Sequence, residues 1–194
     1  LVAVLGIVTA VGSMISMALC PLLIKKLNER NAYILLSVYG FAASVFSFVI
    51  GHFWFQSPKN MVLTVLFYAS LFLIGLQFGA VTLMPMIMTA DTVDYYEHET
   101  GKRMEGACYS ILTLTIKVCL ALGTAVGLIF VQKSGYYESL SAGTFTTKTK
   151  DIIFFAYTAL PGILALLSIV PMFKYDIVGE KKAKISSDLA SRRK

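Results

Sequence analysis

EGACYSILTLTIKVCLALGTAVGLIFV, residues 105–131, is an apolar run long enough to cross a bilayer as a helix, and it carries one cation, Lys117. At about 1.5 Å per residue, Lys117 lies about 18 Å beyond Glu105, near the midplane of a hydrocarbon layer of about 30 Å. An ammonium at that depth needs water, a partner or a substrate, so it marks a pathway by default. The plainer alternative is a lysine held by one structural acid.

The rest of the chain agrees with a membrane setting. Of its 194 residues 57% are hydrophobic and 14% charged, and the charges fall in blocks. Long apolar runs place spans at 1–24, 32–55, 61–89, 105–131 and 152–173. None alternates with the two-residue period of a barrel strand, so the expected fold is an all-α membrane protein with five transmembrane helices. The expected organisation is a helical bundle over 1–174 and a basic tail over 175–194.

Lysine and arginine set the expected orientation. Twelve of them lie in the turn 25–31, the segment 91–104 and the tail from Lys174, against four (Lys59, Lys133, Lys148, Lys150) on the other side. The first set is therefore expected in the cytoplasm, with the amino end outside. The first residue is Leu1, inside an apolar run with no charged leader, and earlier spans are expected upstream. The net charge of +6 gathers in the tail, which suits a solvated end near anionic lipid and argues against nucleic acid. Cys20, Cys108 and Cys119 show no paired spacing, and His52 and His98 fall on opposite sides, so neither set forms a metal site.

Helical faces sharpen the candidates. At about 100° per residue, Gly106, Tyr109, Thr113, Lys117 and Thr124 share one narrow stripe, while Ile111, Val118, Leu122, Ala125 and Ile129 point the opposite way. The stripe is expected to face helices or water; alternatively, Thr113 and Thr124 bond only their own backbone. In the third span Thr64, Tyr68, Gly75, Gly79, Thr82 and Met86 share a side, with the glycines expected to pack. Gly6, Thr9, Gly12, Ser13 and Ser16 form a similar small face in the first span. Pro85 predicts a bend, either a hinge or a static kink, and Pro161-Gly162 a second distortion.

The densest charge is Asp91-Thr-Val-Asp94-Tyr-Tyr-Glu97-His-Glu99-Thr-Gly-Lys-Arg103-Met-Glu105. Asp91, Asp94 and Glu97 would line one side of a continuing helix, where carboxylates oppose the macrodipole and need cations. The segment is either a hydrated connection or a set of acids pairing elsewhere to hold an inner gate shut. A magnesium-dependent polytopic transferase would draw carboxylates from more than one segment, and only one exists. No nucleophile, base and orienting acid can be assembled.

Ala90-Asp91-x-x-Asp94-Tyr95-x-Glu97, Gly101-x-Arg103-x-Glu105-Gly106, Tyr109-Ser110, Lys117 and Gly135-Tyr136 together resemble the motif of the glycoside, pentoside and hexuronide cation symporters. The resemblance implies a major facilitator fold of twelve helices in two halves, this chain supplying most of the carboxyl-terminal six-helix bundle. It implies a multi-pass cell-membrane carrier that couples a sugar to Na+ or H+ by alternating access, with no bound cofactor and with the amino-terminal half of the same carrier as partner. Lys117, Thr113 and Ile116 match positions near the sugar and cation, with Tyr109, Thr124 and Thr82 beside them. Asp91, Asp94, Glu97, Arg103 and Glu105 match a cytoplasmic gate. Thr82 and Leu112 stand where a galactoside-carrying member has tryptophan and glutamine, so that specificity does not carry over. A facilitator of the same fold for a lipid or other solute is the alternative.

Overall fold

The computed structural model describes residues 2–192, with side chains from residue 6 onward. Among them are eight helices and no strand: α1 (Val2–Gln56), α2 (Met61–Thr100), α3 (Glu105–Lys133), α4 (Tyr136–Ser141), α5 (Thr147–Tyr157), α6 (Ala159–Leu167), α7 (Ile169–Met172) and α8 (Gly179–Arg192). The all-helical membrane fold expected from the sequence is present.

The first two expected spans are the two arms of α1. Asn28, at φ 63° and ψ 162°, is outside helical geometry and breaks the element. Contacts of the two arms with α2 show that the chain doubles back there. Gly75 lies against Thr9 and Gly79 against Ser13, so the first arm runs parallel to α2. Ser47 meets Ser70, Tyr39 donates to the Leu73 carbonyl and Trp54 donates to Thr64, so the second arm runs antiparallel. Cys20 and Ala32, one from each arm, meet Ala80 and Met84 in a single core cluster.

Small residues permit this closeness. A Cβ on Gly12, Gly75 or Gly79 would fall within 2.7 Å of a facing backbone oxygen, so the glycine faces read from the first and third spans do pack. The other side of the second arm takes α6, where Gly162 sits against Ser44 and Tyr33 donates to Ser168 at 2.9 Å. The fifth span is three helices, broken at Thr158 and Ser168. Each break falls three residues before a proline, Pro161 or Pro171, whose missing N–H leaves a carbonyl one turn earlier without its helical partner. By contrast, α2 remains one helix through Pro85.

The structure removes one of the two alternatives for the acidic segment and revises the expectation for the tail. The segment around Asp91 is not a hydrated connection: α2 continues to Thr100 and stops at Gly101, whose left-handed φ of 70° caps it with an N–H to the Glu97 carbonyl. Nor is the tail fully solvated. Helix α8 docks on the charged end of α2, where Ile185 and Leu189 join Ile177 and pack with Tyr95 and Tyr175. A helix with apolar residues four apart on one side gains by covering that side.

Helix α3 is held at its ends. Leu112 shares a hollow with Pro85 and Met88, and Phe130 approaches Phe155 with ring centroids 6.2 Å apart. Every residue from 113 to 126 between them is exposed.

Candidate functional site

Three groupings of polar residues stand out against this scaffold. The first is the α3 stripe. Gly106, Tyr109, Ser110, Thr113, Leu114 and Lys117 line one open hollow of about 410 Å³, so the face read from the sequence exists as a surface. It does not face other helices of this chain, because the middle of α3 is uncovered. The hydroxyls of Thr113 and Thr124 donate to Tyr109 and Leu120 carbonyls at 2.8 Å, and Thr82 does the same to Phe78 at 2.7 Å. The backbone-bonded alternative describes Thr113 and Thr124, and Thr82 behaves in the same way. Ile116 is exposed beside the stripe; Thr124 and Ile116 do not line the hollow, and neither does Thr82, on α2. Among the described residues Lys117 has no ion-pair partner, so no structural acid holds it.

The second grouping is centred on Arg103. Gly101 turns the chain so that Arg103 returns over the last turns of α2, where it donates to Glu97 at 2.8 Å, Asp94 at 3.1 Å and Glu105 at 3.2 Å. One guanidinium thus gathers three of the acids read from the sequence, with donors in a fixed fork. Hydrogen bonds to Glu97, then Glu105 and Asp94, hold Arg103 above its ordinary range. The group is exposed, so its worth lies in geometry more than in stability.

Asp91 belongs to a different cluster, which the sequence reading missed. Lys182, reaching in from α8, donates to Glu29 at 2.5 Å and to Asp91 at 2.9 Å. The two carboxylate side chains are only 7% and 9% exposed. Tyr175 donates to Asp91 at 3.3 Å. Burial, then the charges of Asp91 and Glu29, push the Tyr175 phenol well above its ordinary value and keep it a donor. For Lys182 burial opposes the charge, but the hydrogen bonds to Asp91 and Glu29 outweigh it and hold the ammonium above the lysine range. The signal in the sequence was Glu29 itself, the only acid before Asp91 and flanked by Lys25, Lys26 and Arg30.

No group of His, Cys, Asp and Glu among the described residues is arranged to hold a metal ion, and the three cysteines are free. Away from the charged end, a hollow of about 540 Å³ is walled by Trp54, Phe55, Phe67, Tyr136, Phe154 and Tyr157. None of the residues expected at the site lines it.

Comparison with known proteins agrees with this picture. The family described as "MFS/sugar transport protein" matches residues 1–179. An "Uncharacterized 29.9 kDa protein in crtE 3'region" of Pseudescherichia vulneris is 28% identical over 77% of this chain and 53% of its own length. A "Glucuronide carrier protein homolog" of Escherichia coli is 25% identical over 95% of this chain and 38% of its own. "Inner membrane symporter YicJ" of the same organism is 31% identical over 66% of this chain and 27% of its own. The chain thus spans about half or less of the curated relatives it matches. No solved structure matches.

Proposed function

The chain belongs to the MFS/sugar transport protein family, and from that premise we propose that it forms part of a secondary carrier that moves a sugar together with Na+ or H+. The observation that carries the reading is Lys117. It sits mid-span on a polar stripe, on an exposed stretch of α3, and among the described residues it has no ion-pair partner. A charge at the centre of a membrane helix costs about 2.5–3.5 kcal/mol even on insertion scales, so the stripe has to face a wet cavity. The printed names of relatives, a glucuronide carrier homolog and a symporter, support a carrier over an enzyme.

In this reading substrate and cation meet between two halves near midmembrane, and rocking exposes them to either side in turn. Lys117 gives that cavity a positive, hydrogen-bonding wall beside Tyr109, Thr113 and Ile116, with Thr124 and Thr82 nearby. The charged end lies in the cytoplasm, where Arg103 with Asp94, Glu97 and Glu105 closes the inner side. Asp91 acts there through Lys182. The test is uptake of labelled glycosides, pentosides and hexuronides by proteoliposomes holding the complete carrier. Lys117→Met is expected to abolish accumulation while protein reaches the membrane at normal levels; normal accumulation by that variant overturns the assignment.

A further inference from the structure

Between the two arms of α1 and the facing side of α2 runs a groove of about 650 Å³, within the usual range of about 300–1,000 Å³ for a ligand site. It belongs neither to the α3 stripe nor to the charged clusters, and nothing in the transport reading uses it. Leucine dominates its walls: Leu19, Leu22, Leu35, Leu36, Leu73 and Leu76 all line it. Leu19, Leu22 and Leu35 are at least half exposed, so the groove opens away from the helices. Tyr39, also in the wall, donates its hydroxyl proton to the Leu73 carbonyl at 3.0 Å and leaves no spare donor there.

One charged residue ends this apolar surface. Lys26 lines the groove on the side nearest the break at Asn28, and it is exposed. Its own turn does not neutralise it: Glu29 is engaged by Lys182, and among the described residues neither Lys25 nor Lys26 has an ion-pair partner. Along the first arm the lining runs from Ser16 to Lys26, about 15 Å at helical rise. That is half of a hydrocarbon layer of about 30 Å, the depth of one leaflet.

An apolar groove one leaflet deep, with an unpaired cation at its polar rim, matches one ligand chemistry: an acyl chain carrying an anionic headgroup. Basic pockets between membrane helices recognise anionic lipids in this way. Another apolar helix would cover the leucines but leave Lys26 uncompensated. Such a helix has the far side of the first arm to lie on, where Ala10, Met14, Met17 and Ala18 are exposed.

We propose that this groove binds one anionic phospholipid, with an acyl chain along the leucines and the phosphate on Lys26. The lipid is a resident ligand, filling the cleft between the two arms in the leaflet that meets turn 25–31.

In the test the complete protein, with its other cysteines replaced, carries bimane at Leu22→Cys, about one turn from Lys26, in phosphatidylcholine vesicles. Phosphatidylglycerol or phosphatidylcholine bearing a nitroxide on the acyl chain is titrated in, and quenching gives their relative occupancy. One lysine at an anionic headgroup is worth about fivefold, so phosphatidylglycerol is expected to win by about that factor. The preference should vanish in Lys26→Gln, return in Lys26→Arg, and be absent for a label at Leu164→Cys, an exposed site on α6. Native mass spectrometry of the unlabelled protein from mixed vesicles is the second readout: one phosphatidylglycerol is expected to stay bound in the parent and in Lys26→Arg, and none in Lys26→Gln. Quenching by neither lipid means that protein covers the groove. Equal quenching by both, or a preference that survives Lys26→Gln or recurs at Leu164, means ordinary contact with the bilayer. Each of these results, or a parent that retains no phosphatidylglycerol, overturns the proposal.

Discussion

Gly79→Ala tests the packing on which the rest of the fold depends. A Cβ at position 79 would lie 2.0 Å from the Ser13 carbonyl oxygen and 2.8 Å from two further backbone atoms of that residue. These atoms belong to the first arm of α1 and cannot rotate away. Ordinary contact begins near 3.4 Å, so α2 and that arm must separate by about 1.4 Å along this direction, or bend. Overpacking costs about 1–3 kcal/mol, and a rigid backbone obstacle belongs at the upper end. Alanine returns about 1 kcal/mol of helix propensity, which leaves a net loss of about 2 kcal/mol. The chain contains one tryptophan, and Trp54 stacks on Phe67 of α2 with centroids 4.5 Å apart, so its fluorescence follows denaturant unfolding of the α1–α2 unit. Gly127→Ala is the control: nothing lies within 4 Å of the added carbon, and stability should hold or rise slightly. Equal midpoints for the two variants would refute the close-packed arrangement.

Lys182→Met leaves Glu29 and Asp91 buried without their cation, a change worth about 3–5 kcal/mol; α8 should detach and become sensitive to limited proteolysis at neutral pH. Arg103→Gln, at an exposed site, should shift unfolding by no more than about 1 kcal/mol yet change the rate of uptake and the accessibility of the charged end to thiol reagents. If both stay unchanged, the Arg103 network is only a turn. Asp176 is held below the ordinary carboxylate value of 3.8 by Lys181. A depressed acid contributes stability above its ordinary value and loses it as pH falls through the lowered one, so an NMR titration of Asp176 should give a midpoint under 3.8 that moves up in Lys181→Met.

The spans were legible because bilayer crossing imposes length and hydrophobicity together, and both can be read residue by residue. Packing faces were legible for a related reason: Gly75 and Gly79 recur at helical spacing with nothing large beside them, and the structure places both on Thr9 and Ser13. The breaks in the fifth span were half legible. Proline names the carbonyls it deprives, but whether the chain bends or breaks depends on what holds it, and α2 passes Pro85 intact while α5, α6 and α7 separate before Pro161 and Pro171.

Charge pairing was the least legible part, because it acts at distances that sequence order does not record. Lys182 and Glu29 are 153 residues apart, and the basic tail reads equally well as a solvated end. Only the isolation of Glu29 among Lys25, Lys26 and Arg30 hinted that it served something beyond its own turn. The structure also divides the acids that the sequence presented as one row. Asp94 and Glu97 turn outward to Arg103, while Asp91, three residues earlier and near 60° away at about 100° per residue, turns inward to Lys182. That division separates an exposed network whose strength salt can screen from a buried one in which Lys182 bridges two carboxylates. Helix α3 differs from both. Among the described residues its cation has no ion-pair partner, and on the proposed reading a search for the substrate begins at Lys117.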